Sequence, residues 1–528
     1  MSRFIAVTVA AAMGAGLLVT AMPAQAAGAW SAPVQVSAPG LPANRPAAWL
    51  GPDGRGAIAM QVGFEQVGGT YSVQVADRRA NGTWDAPVVL STAGIDSYAP
   101  VIAGNGNHLV CAAWNQEVGA GRQARASCKD GDAAWGSSSG VDILFGGITD
   151  MDIAVAPDGR VALVVLGYSQ DFRQQRASVS TYENGSWSDP QTVISGNAQG
   201  AALLSGVEVE ALADSAFVLT WHGAGGLASS WLNPNSILWT QGEVRSAVTP
   251  LSVSLVSSGD TATLLWSQNV AGDVSLQGAQ WRGEEWGIPT SLHDFGAQAP
   301  AFSATAGLAG VVAVTWAETT FTGNTVQAIV VPSFSVPPVA GIVVTSTPPM
   351  SGPIVAPDGH GSFYVAYQAG RRASQSIRVT HFSVSSGRID PGTSEAISPV
   401  ADADVNPAAL LHAGSALLAA WTRIAPGAEA IMASSVDDPA PPRRVRASSK
   451  KRGQITVTWR APAGGSSGYV VQVRRGNGAW MTKGTPVAGA TTWIWKRARS
   501  GAQYQVRMAS TRGSVTGAWS RVARVTAK

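Results

Sequence analysis

The chain is 528 residues long, 45% hydrophobic and 13% charged, which excludes a disordered polymer and exceeds what one core organises. Its 60 glycines and 30 prolines follow no collagen period, and turn-dense sequence with short apolar runs points to an all-β fold. The net charge of +3 hides an asymmetry: 18 of the 36 Lys and Arg lie after Asp438, where there is no Asp or Glu, leaving 18 basic against 33 acidic residues before it, or −15. Two parts so different in charge are expected to meet different partners.

Residues 1–26 read as a secretory signal peptide. Arg3 supplies the positive start, Ile5 to Met22 is apolar, and Ala24-Gln25-Ala26 offers a small-residue cleavage site. No later stretch is apolar enough to span a membrane. The mature protein is expected to be soluble, monomeric and secreted, extracellular or associated with the cell envelope.

Residues 27–437 are repetitive. Apolar runs end in an aromatic or large anchor at Met60, Trp114, Tyr168, Trp221, Trp266, Trp316, Tyr367 and Trp421, a period near 50. Asn81-Gly82 and Asn184-Gly185 between such runs predict type I′ hairpin turns. Ala-Pro-Asp-Gly at 156–159 and 356–359 marks a turn before the anchor strand. A period of this length with three or four short strands matches a β-propeller blade. The chain enters the repeat on an outer-strand piece, Trp30 to Ser37, and the last repeat, ending near Val436, lacks one. The first piece is expected to complete the last blade and so close the ring. The count gives eight blades, or seven if one weak copy is not a blade.

Cys111 and Cys128 flank a turn near Gly119-Ala120, which sets them opposite each other in a hairpin. A cross-strand disulfide is expected, as the oxidising compartment favours. The repeats resemble sialidase-like propellers of secreted bacterial proteins, although the Ser-x-Asp-x-Gly-x-Thr-Trp box of that family is absent.

The remainder, 438–528, resembles a fibronectin type III domain. Pro441-Pro442 opens it, Ile455 to Trp459 and Tyr469 to Arg474 are early strands, and Tyr504 to Ala509 carries the late-strand tyrosine. The resemblance implies a two-sheet β-sandwich. The whole chain is thus expected to be all-β, a closed propeller followed by a sandwich.

No catalytic residue can be assigned. Gly136 to Gly140 and Gly464 to Gly468 fit Gly-x-Ser-x-Gly, but both sit in Ser/Gly loops rather than a strand–turn–helix elbow. Histidines 108, 222, 293, 360, 381 and 412 never pair at zinc spacing. No cofactor is expected, with a calcium ion left open by the partial loop pattern Asp402, Asp404, Asn406. Acids recur at or before the first strand of a blade: Asp96, Asp150 with Asp152, and Glu208 with Glu210. They could ring a channel mouth and hold a cation, or simply be solvated strand ends. Glycoside hydrolysis would need a pair of carboxylates, for which Glu117 and Glu318 are further candidates.

A polar residue follows each anchor: Gln61, Gln116, Gln170, His222, Gln268, Glu318, Gln368 and Arg423. These lie toward one face, where amides beside aromatics suit sugars. The competing expectation is that they satisfy backbone groups within each repeat. In the basic domain Arg443, Arg444, Arg446, Lys450, Lys451, Arg452, Arg474, Arg475, Lys496, Arg497 and Arg499 form a field for polyanions. An exported protein meets these as envelope polymers rather than cytoplasmic nucleic acid. Together these features indicate an extracellular binding protein, its propeller taking carbohydrate or protein and its basic domain holding an anionic envelope polymer. A secreted glycoside hydrolase of polysaccharide degradation is the alternative, and a scaffold for protein partners the third reading.

Overall fold

A computed structural model describes residues 30–528 except 64–68, 107–108, 142–144, 198–203, 224–225, 241–243, 247, 284, 298–299, 321–322, 347–349, 371–374, 386, 400–402, 426–427, 438, 463–465, 467 and 513–514. The signal-like segment 1–26 and the second Gly-x-Ser-x-Gly stretch, 464–468, fall wholly or largely outside these. So do His108 and the side chains of Asp402, Asp404 and Asn406. No α-helix occurs among the described residues, and no helix is long and apolar enough to cross a membrane.

Each repeat folds into an antiparallel sheet, giving eight sheets among the described residues before 438. Their first strands are Ala43–Leu50, Ser97–Gly104, Gly147–Val155, Leu204–Ala211, Pro250–Ser258, Phe302–Ala306, Met350–Pro357 and Ala403–Ala413, here defining sheets 1 to 8. The second strand of each is the apolar run of the sequence. In sheet 1 every residue of Gly56–Val62 is buried. A strand covered on both faces has no polar side to alternate with, which is why the sequence shows blocks rather than alternation.

The apolar cores lie between sheets. Five of the anchors pack back on the preceding sheet: Trp221 on sheet 3, Trp266 on sheet 4, Trp316 on sheet 5, Tyr367 on sheet 6 and Trp421 on sheet 7. Met60 packs in a core shared by sheets 1 and 8. First strands touch in order from sheet 1 to sheet 8, and that of sheet 8 touches that of sheet 1. Val34–Gln35 supplies the fourth strand of sheet 8, opposite Ala433 and Met432. Buried Arg78 of sheet 1 adds a polar tie, donating to the Gly54 carbonyl and, at 3.0 Å, to the Ser435 hydroxyl of sheet 8.

Two local expectations are corrected. In sheet 3 the residue equivalent to the other anchors is Val165, not Tyr168. The turn bond from Ala156 N–H to the Arg160 carbonyl matches that from Leu212 to Ala216 in sheet 4. Five residues beyond the acceptor stand Val165 and Trp221, and Val165 is the residue that packs on the preceding sheet. Of the two Asn-Gly pairs, only Asn184-Gly185 has both φ positive, at 50° and 85°. At Asn81-Gly82 the loop runs from Arg79 to Thr83, one residue longer, and only Gly82 is left-handed. The disulfide joins Cys111 and Cys128, directly opposed with Cα atoms 4.1 Å apart.

After residue 438 two sheets face each other. One holds Arg443–Ser448, Ile455–Arg460 and Thr492–Trp495; the other holds Met481–Gly484, Gly468–Arg475 and Gln503–Arg512, with Val515–Thr516 and Ala523–Thr526. Trp459, Tyr469 and Tyr504 are buried between them. Val515 does not join that core. It is fully buried in the core of sheets 7 and 8 with Trp30, Tyr364, Leu417 and Trp421, and the Thr516 N–H donates to the Tyr364 hydroxyl at 3.2 Å. The sandwich is therefore seated on the repeats.

Two expectations follow from these cores. Trp421→Ala should cost about 3–5 kcal/mol in unfolding free energy, the range for emptying a buried aromatic site. Val515→Asp places a charge in the shared core. Calorimetry should then show the sandwich melting separately, with the linker near 438 newly cut by protease; an unchanged melt would refute the seating.

Candidate functional site

Antiparallel pairing places the start of each first strand beside the end of the second. Gln61 is opposite Asn44, Gln116 opposite Ser97, His222 opposite Gly206, Gln268 opposite Pro250, Gln368 opposite Ser351 and Arg423 opposite Asp404. Six of the eight polar positions thus share one edge of their sheets. Glu318 lies past the first-strand pairing of sheet 6, opposite Thr325. Gln170 sits in an exposed turn, because the anchor of sheet 3 is three residues earlier.

Most of these groups are engaged with the protein. Gln116 is almost fully buried; its amide oxygen accepts from Thr92 N–H at 3.2 Å and Trp114 Nε1 at 3.4 Å, while its nitrogen donates to Thr92 Oγ1 at 3.2 Å. Gln61 accepts from Ala99 N–H at 3.2 Å, Gln268 from Trp266 Nε1 at 3.0 Å, and Gln368 from Ser351 Oγ at 2.8 Å. His222 lies over Gly206, where a Cβ would meet its ring, and burial lowers its pKa. Glu318 accepts from Gln327, and Arg423 reaches Gln35 at 3.5 Å. These groups fix connections between strands, and where half-buried they still present polar atoms to that edge.

At the junction of sheets 1 and 2 the same edge opens into a cleft of about 510 Å³, lined by Thr92, Gly94 to Asp96, Gln116 to Gly119, Gln123 and Arg125. Beside it the rings of Tyr71 and Tyr98 stand 5.4 Å apart. Tyr98 bonds Glu117 at 3.4 Å, Arg122 lies 4.9 Å over the Tyr98 ring, and Arg122 meets Glu117 at 3.5 Å. The Asp96 carboxylate accepts from Tyr71 N–H at 2.7 Å. Burial, then the charges of Asp96 and Glu117, push the Tyr98 phenol up to about 12 against the opposing pull of Arg122. Tyr98 is therefore a neutral hydroxyl at any physiological pH.

Backbone strain collects at the same edge. Seven of the eight first strands bulge there. Arg45 and Ala99, each followed by proline, sit in the left-handed region at φ 49° and 48°. A bulge re-aims the side chains around it, and Ala99 is held by Gln61 right beside Tyr98. Sequence reasoning missed the tyrosines. The signal available was the recurrent first-strand proline, Pro46 and Pro100, then Pro353 and Pro407. The opposite edge of this junction has a 470 Å³ cleft, but its three acids are each paired: Asp77 with Lys129 at 2.6 Å, Asp132 with Arg55 at 2.9 Å and Asp85 with Arg79 at 2.6 Å.

The acids of the first strands do a different job. Asp150 and Asp152 of sheet 3 accept from Val207 and Val209 N–H of sheet 4, at 2.9 and 2.8 Å. Glu208 accepts from Leu255 N–H of sheet 5, and Glu210 from Ser257 Oγ at 2.8 Å. Ser303 of sheet 6 accepts from Val355 N–H of sheet 7 at 3.3 Å. Asp152, Glu208 and Ser303 occupy one repeat position, each opposite the residue before the anchor position. They are staples from one first strand to the next. Crowding by protein pushes the Asp152 carboxyl up to about 7 and that of Glu210 up to about 8, and raises Asp150 and Glu208. Among the described residues no three His, Cys, Asp or Glu are grouped to hold a metal. Asp358 goes the other way. Burial alone would raise it, but His381 at 3.3 Å and the N–H groups of Ser362 and His360 hold it at about 2.

In the sandwich Arg443, Arg444, Arg446, Lys450, Lys451, Arg452, Arg475, Lys496, Arg497 and Arg499 are exposed, and Arg474 is half-buried. The Ala498 N–H bonds the Gly453 carbonyl at 3.1 Å, which brings the 450–452 and 496–499 clusters to one end. Gln503–Arg512 runs from near that end to the seated hairpin, about 30 Å at 3.3 Å per residue. The basic end faces away from the repeats.

Residues 440–526 match the family described as fibronectin type III domain, so the C-terminal unit is one. No curated protein matches the chain. A solved Fn3-like protein from Clostridium thermocellum is 20% identical over 17% of this chain and 96% of its own, with TM-score 0.16. An ulvan lyase of a polysaccharide lyase family is 9% identical over 68% and 97%, with TM-score 0.43. A prolyl endopeptidase is 10% identical over 79% and 54%, with TM-score 0.42. At these scores none bears on this chain's chemistry.

The raised acids give a pH test. A carboxyl whose folded pKa is raised lends stability fully below the unfolded value near 4, and loses it as pH rises through the folded value. Thermal stability should therefore fall between about pH 4 and the values near 7 and 8 of Asp152 and Glu210. Asp358, held low, should cost stability only as pH drops from about 4 toward 2. Glu210→Gln should flatten this decline in a melting series; a decline that persists in full would contradict the assignment.

Proposed function

We propose that the eight sheets are blades of a closed β-propeller, and that the protein is a secreted binding protein whose propeller recognises carbohydrate at the Asp96–Glu117 cleft beside Tyr71 and Tyr98. Closure is supported by the contact of first strands through to sheet 1 and by Val34–Gln35 completing sheet 8. Export is supported by the Arg3 to Ala26 segment and the disulfide.

The observation that carries the ligand class is a cleft lined by the carboxylates Asp96 and Glu117, with the Tyr71 and Tyr98 rings and the Arg122 guanidinium held next to those carboxylates. Aromatic rings cover the apolar faces of sugars, and carboxylate and amide groups bond their hydroxyls. A volume near 510 Å³ is the scale of a small-ligand site. The fibronectin type III domain, with 18 Lys and Arg and no Asp or Glu after residue 438, would hold the protein at an anionic envelope polymer. A glycoside hydrolase is the second reading, favoured by one fact: Asp96 and Glu117 both line the cleft, as a carboxylate pair must.

The test is binding and turnover of neutral and acidic glycans by the chain from residue 27. Tyr98→Ala should weaken binding about tenfold, the loss of roughly 1.4 kcal/mol from one aromatic contact. Glu117→Gln should weaken binding with no sugar released by either protein. Release by wild type that Glu117→Gln abolishes would establish the hydrolase. Indifference of wild type to every glycan would remove the site.

A further inference from the structure

The fibronectin type III domain carries a second arrangement that the exposed lysine and arginine clusters do not explain. On the outer face of its larger sheet, Gln472 is paired with Arg507 and Arg474 with Gln505 across neighbouring strands. Each arginine is locked by the amide opposite it. Arg507 donates through Nε and Nη2 to Gln472 Oε1 at 2.9 and 2.8 Å, and Arg474 through Nε and Nη2 to Gln505 Oε1 at 3.3 and 2.9 Å. The same guanidinium groups lie over indoles: Arg474 at 4.6 Å and Arg507 at 4.5 Å from Trp480, with Arg507 also 4.4 Å from Trp519. The result is a row, Trp519–Arg507–Trp480–Arg474.

Two fixed cations so close repel each other, and the domain has no Asp or Glu after residue 438 to offset them. Burial, then Arg474, lowers the Arg507 pKa to about 10. Neutral amides orient these groups without neutralising them. Planar, pre-oriented guanidinium groups are suited to carboxylate and sulfate oxygens, and little side-chain entropy is left to lose on binding. Next to Gln505 a polar cleft of about 530 Å³ is lined by Asn477, Gln503, Arg524 and Thr526. It adds hydroxyl and amide partners and a third cation.

We propose that this face is a binding site for an acidic polysaccharide strand, with Arg474 and Arg507 receiving its carboxylate or sulfate groups and the Gln505–Arg524 cleft its hydroxyls. The inference rests on the reading of this domain as an anionic-polymer binder and assigns that binding to one face. Single-stranded nucleic acid is the less suited occupant, because base stacking needs open aromatic faces and these indoles are already covered by guanidinium groups.

The experiment compares the chain from residue 27 with three variants, each checked by melting: Arg474→Lys, Arg474→Gln with Arg524→Gln, and Lys450→Gln with Lys451→Gln and Arg452→Gln. Probes are polygalacturonate, dextran sulfate, neutral dextran and a single-stranded oligonucleotide, at low and moderate salt. Losing one charge-assisted contact of roughly 1.5–3 kcal/mol should weaken acidic-glycan binding about tenfold or more in both Arg474 variants, including the charge-preserving lysine. The distal triple variant should change affinity only about twofold, as screened surface charges do. If wild type binds acidic glycans but Arg474→Lys binds equally well, the face is not the site, while the polymer-binding reading stands. Equal or tighter binding of the oligonucleotide overturns the polysaccharide assignment. Failure of wild type to bind any anion defeats the reading of the domain itself.

Discussion

Burial on both faces of each second strand is the constraint from which the architecture follows. A sheet whose central strand is apolar on both sides cannot exist with one side in water, so every sheet needs a neighbour on each flank. Eight sheets in a row would still leave two bare flanks. Met60, packed with sheet 8 residues Leu418 and Ile431, shows how sheet 1 meets that need. The anchors repeat the same contact at successive junctions, with Trp221, Trp266, Trp316, Tyr367 and Trp421 at five of them and Val165 in sheet 3.

This arrangement divides polar residues by location. Acids and serines on the first strands face the next first strand and are consumed in stapling it, at Asp152, Glu208 and Ser303. At the edge where first strands begin, amides such as Gln116 and Gln61 hold the connections and bulges in place. Gln61 in this way holds Ala99, next to Tyr98 and its carboxylate and arginine neighbours. The fibronectin type III domain uses amides in the same supporting way, at Gln472 and Gln505, to hold charged groups rather than tyrosines.

Much of this was legible in the sequence because the period of apolar runs reports directly on sheet number, and the outer-strand piece at Trp30 to Ser37 reports on how the last sheet is completed. The disulfide followed from hairpin register together with the expected oxidising compartment. Where reading failed, the deciding information was three-dimensional. Tyr168 looks like an anchor because it ends an apolar run, yet the turn bond at Ala156 shifts the true position to Val165. The acids at 150, 152, 208 and 210 were placed on the right strand, but their partners are backbone groups of another sheet, which no local pattern encodes. The Arg–Gln checkerboard of the sandwich is written as Gln472-x-Arg474 and Gln505-x-Arg507, although only the strand pairing sets each arginine opposite the other strand's glutamine.

The central claim is that the repeats close through the N-terminal strand, and hydrogen exchange tests it most directly. The amide of Val36 donates to the Ile431 carbonyl at 2.9 Å and that of Ser31 to Ser435 at 2.8 Å, across some four hundred residues of chain. If the ring is closed, amides in 428–437 and in the first strands of sheets 1 and 8 should be protected to the level of global unfolding. In a chain lacking residues 27–38, protection in both regions should drop together. Fast exchange of 428–437 in the intact protein, or protection indifferent to the deletion, would contradict closure.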